Sequence, residues 1–266
     1  MKEDTTFGIS PLASVHPDAI IGANVTISPF ATVDKNVVIG DNTTIYPNAV
    51  ILDGARIGKN CRIFPGAVIS GIPQDLKFQG EDTGCEIGDN TSIRECATVN
   101  RGTASKGKTI VGNDCLLMAY SHTAHDCILK DHVILGNTTQ LAGEVEVDDY
   151  AILSGGTLVH QFTRIGKHVM IQGGSKLGKD VPPYIIAGRE PLSYSGVNIV
   201  GLRRRGFTND QIAAIQEIYR ILYQSGLNNS VAAKQIDVTV VDGPEKQEVL
   251  NFLLSSQRGI IRGYLD

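Results

Sequence analysis

The chain has no tryptophan, only 8 tyrosines and 7 phenylalanines in 266 residues, and no long apolar run. So few large rings make a core packed around aromatic side chains an unlikely design. Without about 18–20 consecutive apolar residues there is no candidate membrane-spanning helix. The opening MKEDTTFGIS also lacks the apolar centre of a secretory signal. The cysteines are few and odd in number: Cys61, Cys85, Cys96, Cys115 and Cys127 show neither CxxC nor zinc-ribbon spacing. Surplus positive charge is missing as well. A formal net charge of -4 speaks against a general nucleic-acid-binding surface. These absences lead us to expect a reduced, cytoplasmic protein with no nucleic-acid partner, no transmembrane segment and no metal site.

What the chain has in quantity is glycine, 29 residues, and a period of six. Aliphatic residues recur at Val15, Ile21, Ile27, Val33, Ile39, Ile45, Ile51, Ile57, Ile63 and Ile69. The phase returns at Ile87, Ile93, Val99, Val111 and Leu117, and then runs from Leu129 to Leu177. Only Asp75, Glu81, Ser105 and Thr123 interrupt it. Neither an amphipathic helix nor a long alternating strand has this period. Four residues after each aliphatic comes a small or β-branched residue, such as Ala31, Thr43, Ala49, Cys61 or Ala67. Three residues after it stand Asp18, Asn24, Asn36, Asn42, Asn48 and Asn60, or Gly54 and Gly66. Asn, Asp and Gly tolerate a positive φ, so each hexad reads as a short strand ending in a tight corner. Cys61, Cys115 and Cys127 share the small-residue position and read as inert wall-fillers.

The pattern resembles the hexapeptide-repeat family, and the fold it implies is an all-β left-handed parallel β-helix, a triangular prism of three hexads per coil. General handedness preferences would favour right-handed parallel crossovers, so the handedness rests on the resemblance. Residues 1–190 are expected to form the β-helix and residues 191–266 a small C-terminal α-helical domain. Stretches 70–86 and 100–110 lose the marker and return in phase, which predicts loops ejected from the prism. PPYIIAGREPLSYSGVNIVGLRRRGF reads as a linker. TNDQIAAIQEIYRILYQSG reads as a helix starting at Thr208–Asn209, with Ile212, Ile215, Ile218, Tyr219 and Leu222 on its apolar face and a stop at Gly226. NNSVAAKQI and PEKQEVLNFLLSS predict two further helices.

A repeat that buries aliphatics on the inside leaves chemistry to corners and loops. The chemistry gathers in SHTAHDC, residues 121–127, beside the break at Thr123. Residues 18 apart should stack on neighbouring coils, placing His125 beneath Gly143, and Asp126 beneath Glu144 and Phe162. An imidazole titrating near 6.5 when unperturbed is a suitable general base at neutral pH. An adjacent carboxylate can hold its tautomer. A glycine N–H one coil away is a candidate oxyanion donor. With Cys127 read as a wall-filler and no activated Ser or Cys nucleophile in HTAHD, these parts suggest direct acyl transfer from a thioester to a hydroxyl. Zinc is the rival, since γ-class carbonic anhydrases bind it through histidines between β-helices. Two histidines three apart on a corner carry no zinc signature, however.

PQDLK (73–77), NRGT (100–103), HTAHDC (122–127), LAGEVEVDDYAI (141–152), VHQFTRIGKHVM (159–170), DVPPY (180–184) and GVNIVGLRRRGF (196–207) follow one another in a familiar order. Over nearly its whole length the chain resembles the UDP-N-acetylglucosamine O-acyltransferases, which open lipid A synthesis. The resemblance implies transfer of a (R)-3-hydroxyacyl group from acyl carrier protein to the 3-hydroxyl of UDP-N-acetylglucosamine. His125 matches the base, assisted by Asp126, with Gly143 facing the oxyanion. Gln74, Asp75, Lys77, His122, His160, Gln161, Asn198 and Arg204 match substrate-binding positions, and Met170 and Gly173 match positions that gauge acyl length. Glu144 stands where the family commonly has a second histidine, and is counted with the substrate-binding residues; its carboxylate is expected to stack over Asp126. Val200 replaces a frequent glutamate.

The resemblance further implies a homotrimer with active sites between subunits. No cofactor is implied beyond the phosphopantetheine that carries the acyl group. Between residues 160 and 205, Arg164, Lys167, Lys176, Lys179, Arg189, Arg203, Arg204 and Arg205 face only Asp180 and Glu190, a bias that favours an anionic partner. The related N-acyltransferase carries an extra N-terminal domain, for which a repeat beginning by Val15 is expected to leave no room. Acetyl-CoA-dependent enzymes and Thr-ladder binding proteins share the repeat but not these insertions.

Overall fold

The structure, a computed structural model, describes residues 8–263. Three sheets of 11, 9 and 8 short strands, parallel except at the last strand of the first, form the faces of a prism, and the chain visits the three in turn. Most strands are two residues long: the aliphatic marker points inward, and its predecessor points outward. Backbone hydrogen bonds join each coil to the next, such as Thr44 N to Cys61 O at 2.9 Å and Ile134 N to Ala151 O at 3.0 Å. Stacked markers pair directly, Leu117 with Leu135 and Leu135 with Leu153. This is the left-handed parallel β-helix with a helical tail that the repeat implies.

The hexad positions behave as their chemistry requires. Ile45, Ile51, Ile63, Ile69, Leu135 and Leu141 have no exposed surface. Neither do Ala31, Ala49, Cys61 and Ala67 at the small-residue position. Burial pushes the thiol of Cys61 up to about 11, and those of Cys85, Cys115 and Cys127 up to about 12, so all four stay protonated and inert. Corners with positive φ include Asn24, Asn42, Asn48 and Asn60, together with Gly54 and Gly66. Asp18 and Asn36 are not among them. The carbonyl and side-chain oxygens of Asn36 instead accept from the Arg56 guanidinium, both at 2.7 Å. Bulky residues also occupy left-handed corners, among them Asp126 (φ 60°), Glu144 (φ 61°) and Phe162 (φ 63°).

The ejected loops are shorter than the marker pattern suggests. Strands Val68–Gly71 and Gly84–Ile87 bracket the first, leaving 72–83 outside the sheet. Thr98–Asn100 and Lys108–Val111 bracket the second, leaving 101–107. The four-residue strands pair over their whole length, Gly84 with Lys108 and Ile87 with Val111, so the backbone stays in the sheet after the side-chain marker has lapsed.

The expected linker is structured. Ile185–Gly188 extends the first sheet in parallel, and Ser193–Val197 returns antiparallel to it. The expected domain division at 190/191 therefore falls inside this hairpin. Ile185, Ala187 and Val197 are buried and close the end of the prism, a requirement that a repeat-based reading overlooks once the period has ended. Helix α1 (Ile199–Arg204) follows, capped by Asn198. Helix α2 (Asn209–Gln224) begins in a capping box made by Thr208 and Gln211. It buries the apolar face predicted for it, against α3 (Asn229–Thr239) and α4 (Pro244–Ser255). Asp180 ties the tail to the prism, accepting from Arg164 N at 2.9 Å and from Ser256 Oγ at 2.6 Å. No helix among the described residues is long and apolar enough to cross a membrane.

Replacing Leu135, which is 0% exposed, with Ala is expected to lower the unfolding free energy by about 2–5 kcal/mol, measured in urea. Leu254→Ala, at 80% exposure, should stay within about 0.5 kcal/mol. A larger loss at Leu254 than at Leu135 would contradict this account of the core.

Candidate active site

Register places the site on the outside of the second sheet. His122 and Thr123 form one of its strands, with His122 facing out between Thr98 and Gln140, and Thr123 facing in between Val99 and Leu141. The break in the repeat is thus a substitution and leaves the coil undistorted. Thr123 keeps the β-branched shape at 0% exposure, and its hydroxyl has no partner. His125 lies two residues further on, at the corner, and its side chain is 17% exposed. The 72–83 loop folds over the same face, bringing Gln74, Asp75, Leu76 and Lys77 to its rim. Between loop and sheet lies an open cleft of about 1020 Å³, whose walls include His122, His125, Gly143, His160 and Gln161.

The carboxylate beside His125 is buried and fully engaged. Asp126 is 0% exposed, and its Oδ2 meets His125 Nδ1 at 2.8 Å. Thr103 N donates to both of its oxygens, Thr103 Oγ1 to Oδ2 at 2.6 Å, and Lys106 N to Oδ1 at 3.1 Å. Burial pushes the carboxyl toward its neutral form, but these hydrogen bonds outweigh it and hold the group below the usual carboxylate range. Asp126 is therefore an ionised acceptor. His125 accordingly donates from Nδ1 to Asp126, and its Nε2 is turned to the cleft, 3.7 Å from Asp75 Oδ2.

Gly143 permits this packing. A Cβ at that position would lie 2.5 Å from His125 Cε1 and Nε2, so the imidazole rests on bare backbone. Among the described residues the amide there is uncapped, like those of His125 and Gln161 at the same hexad position on this face. Two residues after the aliphatic, this N–H runs along the prism, and on the third face the next coil covers it. Ala23 N donates to Asp41 Oδ1 at 2.9 Å, Lys59 N to Asp89 at 2.7 Å and Asn113 N to Asp131 at 2.7 Å. One coil beyond Gly143 stands Gln161, and among the described residues nothing accepts from the Gly143 N–H. A free N–H donor thus lies beside the His125 imidazole.

The remaining expected residues divide by position. His122 Nδ1 is 2.7 Å from Thr98 Oγ1; burial first, and the neighbouring His125 second, push its pKa down, so it is neutral. His160 Nδ1 bonds Gln161 O at 3.1 Å, leaving its other nitrogen free. Asp75 Oδ1 accepts from Lys77 N at 2.9 Å, which stiffens the loop tip. Glu144 departs from expectation. Its carboxylate accepts from Ser105 Oγ at 3.0 Å and has no hydrogen bond with Asp126, because Asp126 points inward to the 101–107 loop.

Asn198, Arg204, Met170 and Gly173 do not line this cleft. Asn198 is buried, donating to His168 O at 2.9 Å and accepting from Gly201 N. Met170 lies on the outside of the first sheet, and Arg204 is exposed in α1. The basic bias is also smaller than it reads, since Arg164 pairs with Glu146 at 3.5 Å and Lys167 with Glu248 at 3.2 Å, both acids outside the 160–205 window. Gln140, Leu158 and Lys176, stacked above His122 on one face, were not anticipated as lining; the 18-residue register contains them. Among the described residues no group of three or more His, Cys, Asp or Glu could hold a metal ion.

A parallel β-helix with a hydrogen-bonded carboxylate–imidazole pair on one face defines the class, a hexapeptide-repeat transferase. A model of bacterial transferase hexapeptide repeats matches residues 36–71, and one described as UDP-N-acetylglucosamine O-acyltransferase, domain 2, matches residues 180–261. An acyl-[acyl-carrier-protein]–UDP-N-acetylglucosamine O-acyltransferase of Burkholderia mallei is 44% identical over 199 residues, 73% of this chain and 76% of its own length. The crystal structure of a UDP-N-acetylglucosamine acyltransferase from Bacteroides fragilis is 58% identical, with a TM-score of 0.94 over 95% of this chain and 99% of that one. Its counterpart from Francisella novicida is 42% identical, with a TM-score of 0.93 over 96% of this chain and 94% of that one. The chain belongs to the acyl-[acyl-carrier-protein]–UDP-N-acetylglucosamine O-acyltransferase family, and it is an enzyme of that family.

Gly143→Ala should leave the unfolding midpoint within a few degrees of the parent and lower turnover by about a hundredfold or more, because the new methyl displaces the imidazole. Parental turnover in that variant would mean that the ring's seat on Gly143 is irrelevant to the chemistry.

Proposed function

We propose that the enzyme moves a (R)-3-hydroxyacyl group from acyl carrier protein to the 3-hydroxyl of UDP-N-acetylglucosamine, opening lipid A synthesis, with His125 as general base. The observation that carries this reading is the commitment of His125 Nδ1 to Asp126, which leaves Nε2 facing a cleft large enough for a nucleotide sugar. As the sugar oxygen bonds to the thioester carbonyl carbon, its proton passes to Nε2. The carbonyl electron pair moves onto oxygen, where the uncapped Gly143 N–H stabilises it. When the adduct collapses, the carbon–sulfur bond breaks and the departing phosphopantetheine sulfur takes the proton back from the imidazolium. The ester, the free thiol and neutral His125 result, and no further cofactor enters.

Gln74, Asp75, Lys77, His122, His160 and Gln161 are assigned to the sugar nucleotide, with Glu144 at the edge of the same cleft through its neighbours Asp75 and Gln161. Asn198 and Arg204, and the acyl-gauging pair Met170 and Gly173, lie away from this cleft within one chain. Their participation calls for sites shared between copies, and we take the assembly to be a homotrimer. The apolar surface left open at the cleft and beside it supports association: Leu76 is fully exposed and Leu158 46% exposed on its walls, and Phe162, in the adjoining cavity, is 48% exposed. A cytoplasmic location fits five free cysteines, four of them buried.

Incubation with UDP-N-acetylglucosamine and a ladder of 3-hydroxyacyl carrier proteins should give a monoacylated sugar nucleotide by mass analysis, at several chain lengths but with one preferred. Equal rates from unhydroxylated donors or from acetyl-CoA would overturn the donor assignment. His125→Ala should remain folded and associated and turn over at least about a hundredfold more slowly. Near-parental activity there would remove the general-base role.

A further inference from the structure

The 101–107 loop leaves the prism between two paired strands and carries no aliphatic marker. Its return is tight. Gly102 N donates to Gly84 O at 3.0 Å, and a Cβ on Gly102 would lie 2.3 Å from Lys108 N. That closure drives Thr103 against Asp126. A carboxylate torsion is intrinsically broad and two-fold, so Asp126 can present a fixed oxygen to His125 only if something else holds it. The backbone N–H groups of Thr103 and Lys106 both reach Oδ1 and locate the group. The Thr103 hydroxyl makes the shortest contact to Oδ2, the oxygen that meets His125 Nδ1 at 2.8 Å: 2.6 Å, against 3.1 Å for the Thr103 N–H. Its oxygen accepts from Ser105 N at 3.2 Å, which directs the hydroxyl proton to Asp126. Thr103 is 9% exposed, so little water competes for these bonds.

We infer that Thr103 is a positioning residue for this reaction: its hydroxyl fixes the Asp126 carboxylate so that His125 holds Nε2 toward the cleft. The inference rests on His125 being the base. The same loop continues to the cleft edge, where Ser105 Oγ donates to Glu144, so a hydrogen-bonded path of named atoms runs from Glu144 to the imidazole through Ser105, Thr103 and Asp126. Glu144 also lines the cavity that contains Asp75, Lys77 and Gln161. A loop that looks like a by-product of the repeat thereby becomes part of the site's frame.

Thr103→Val removes the hydroxyl and keeps the backbone N–H and the side-chain shape. Thr103→Ala removes it without adding atoms, and Thr103→Ser restores it. Since a hydrogen bond to an ionised group contributes on the order of ten- to a hundredfold, kcat should fall about tenfold or more in the Val and Ala variants. KM for UDP-N-acetylglucosamine should stay within about twofold of the parent, and Ser should recover most of the loss, as expected of an oriented hydrogen bond. If Thr103 acts through the imidazole, Thr103→Ala in a His125→Ala background should cost nothing more. Parental kcat in both hydroxyl-free variants, or the same factor lost with and without His125, would overturn the inference. The His125→Ala single variant separates the two ideas: full activity there defeats the base, whereas a dead His125→Ala beside an active Thr103→Ala defeats only the role of Thr103.

Discussion

Every functional distance in this molecule depends on the hydrogen-bonded stacking of one coil on the next. Backbone amides join each coil to both neighbours: Ile128, close to Asp126, donates to Val145 on the following coil at 2.9 Å, and Glu144 donates back to His125 on the preceding one at 3.0 Å. The ladder locks the register at eighteen residues except where a loop is inserted, and stacked coils are spaced by about 4.8 Å. The buried aliphatic columns enforce the same register from within, because a slip would turn Leu141 or Leu129 outward. A wall of this kind is stiff. Chemistry placed on it gains fixed geometry and loses depth.

The site answers that shortage of depth in two ways. One inserted loop, 72–83, rises over the second face and supplies a cleft wall with Asp75 and Lys77. The other, 101–107, closes underneath and delivers three hydrogen bonds from Thr103 and one from Lys106 to a carboxylate that would otherwise be poorly accommodated without solvent. The two insertions thus serve opposite ends of one group, the His125 imidazole. Glycine at 143 makes the arrangement possible, since any side chain there would occupy the ring's place.

Much of this was legible from residue spacing. The six-residue cadence is legible directly; with the three hexads per coil that the family resemblance implies, adding eighteen to His125 gives Gly143, a proximity the structure bears out. Less legible was whatever departs from the cadence. The stretch after Pro182 reads as a linker because its period ends, yet Ile185, Ala187 and Val197 are needed to seal the open end of the core. Glu144 reads as a partner for Asp126 by stacking alone. The side chains part because Asp126 finds Thr103 inside and Glu144 finds Ser105 outside. The basic stretch from 160 to 205 reads as opposed only by Asp180 and Glu190 until Glu146 and Glu248 arrive from distant positions.

The sequence alone determined the repeating scaffold, the inert place of Cys61, Cys115 and Cys127, and the pairing of His125 with the residues one coil away. The first two follow from local rules, periodic burial and corner conformation, that act at every hexad alike; the third also needs the three hexads per coil that the family resemblance implies. Only the tertiary structure decided which oxygen holds the imidazole, that Thr103 shares it, and that the Gly143 amide is left uncovered. Those outcomes depend on how two non-repeating loops fold back, and loop closure is governed by contacts between residues far apart in the chain, which no local period encodes.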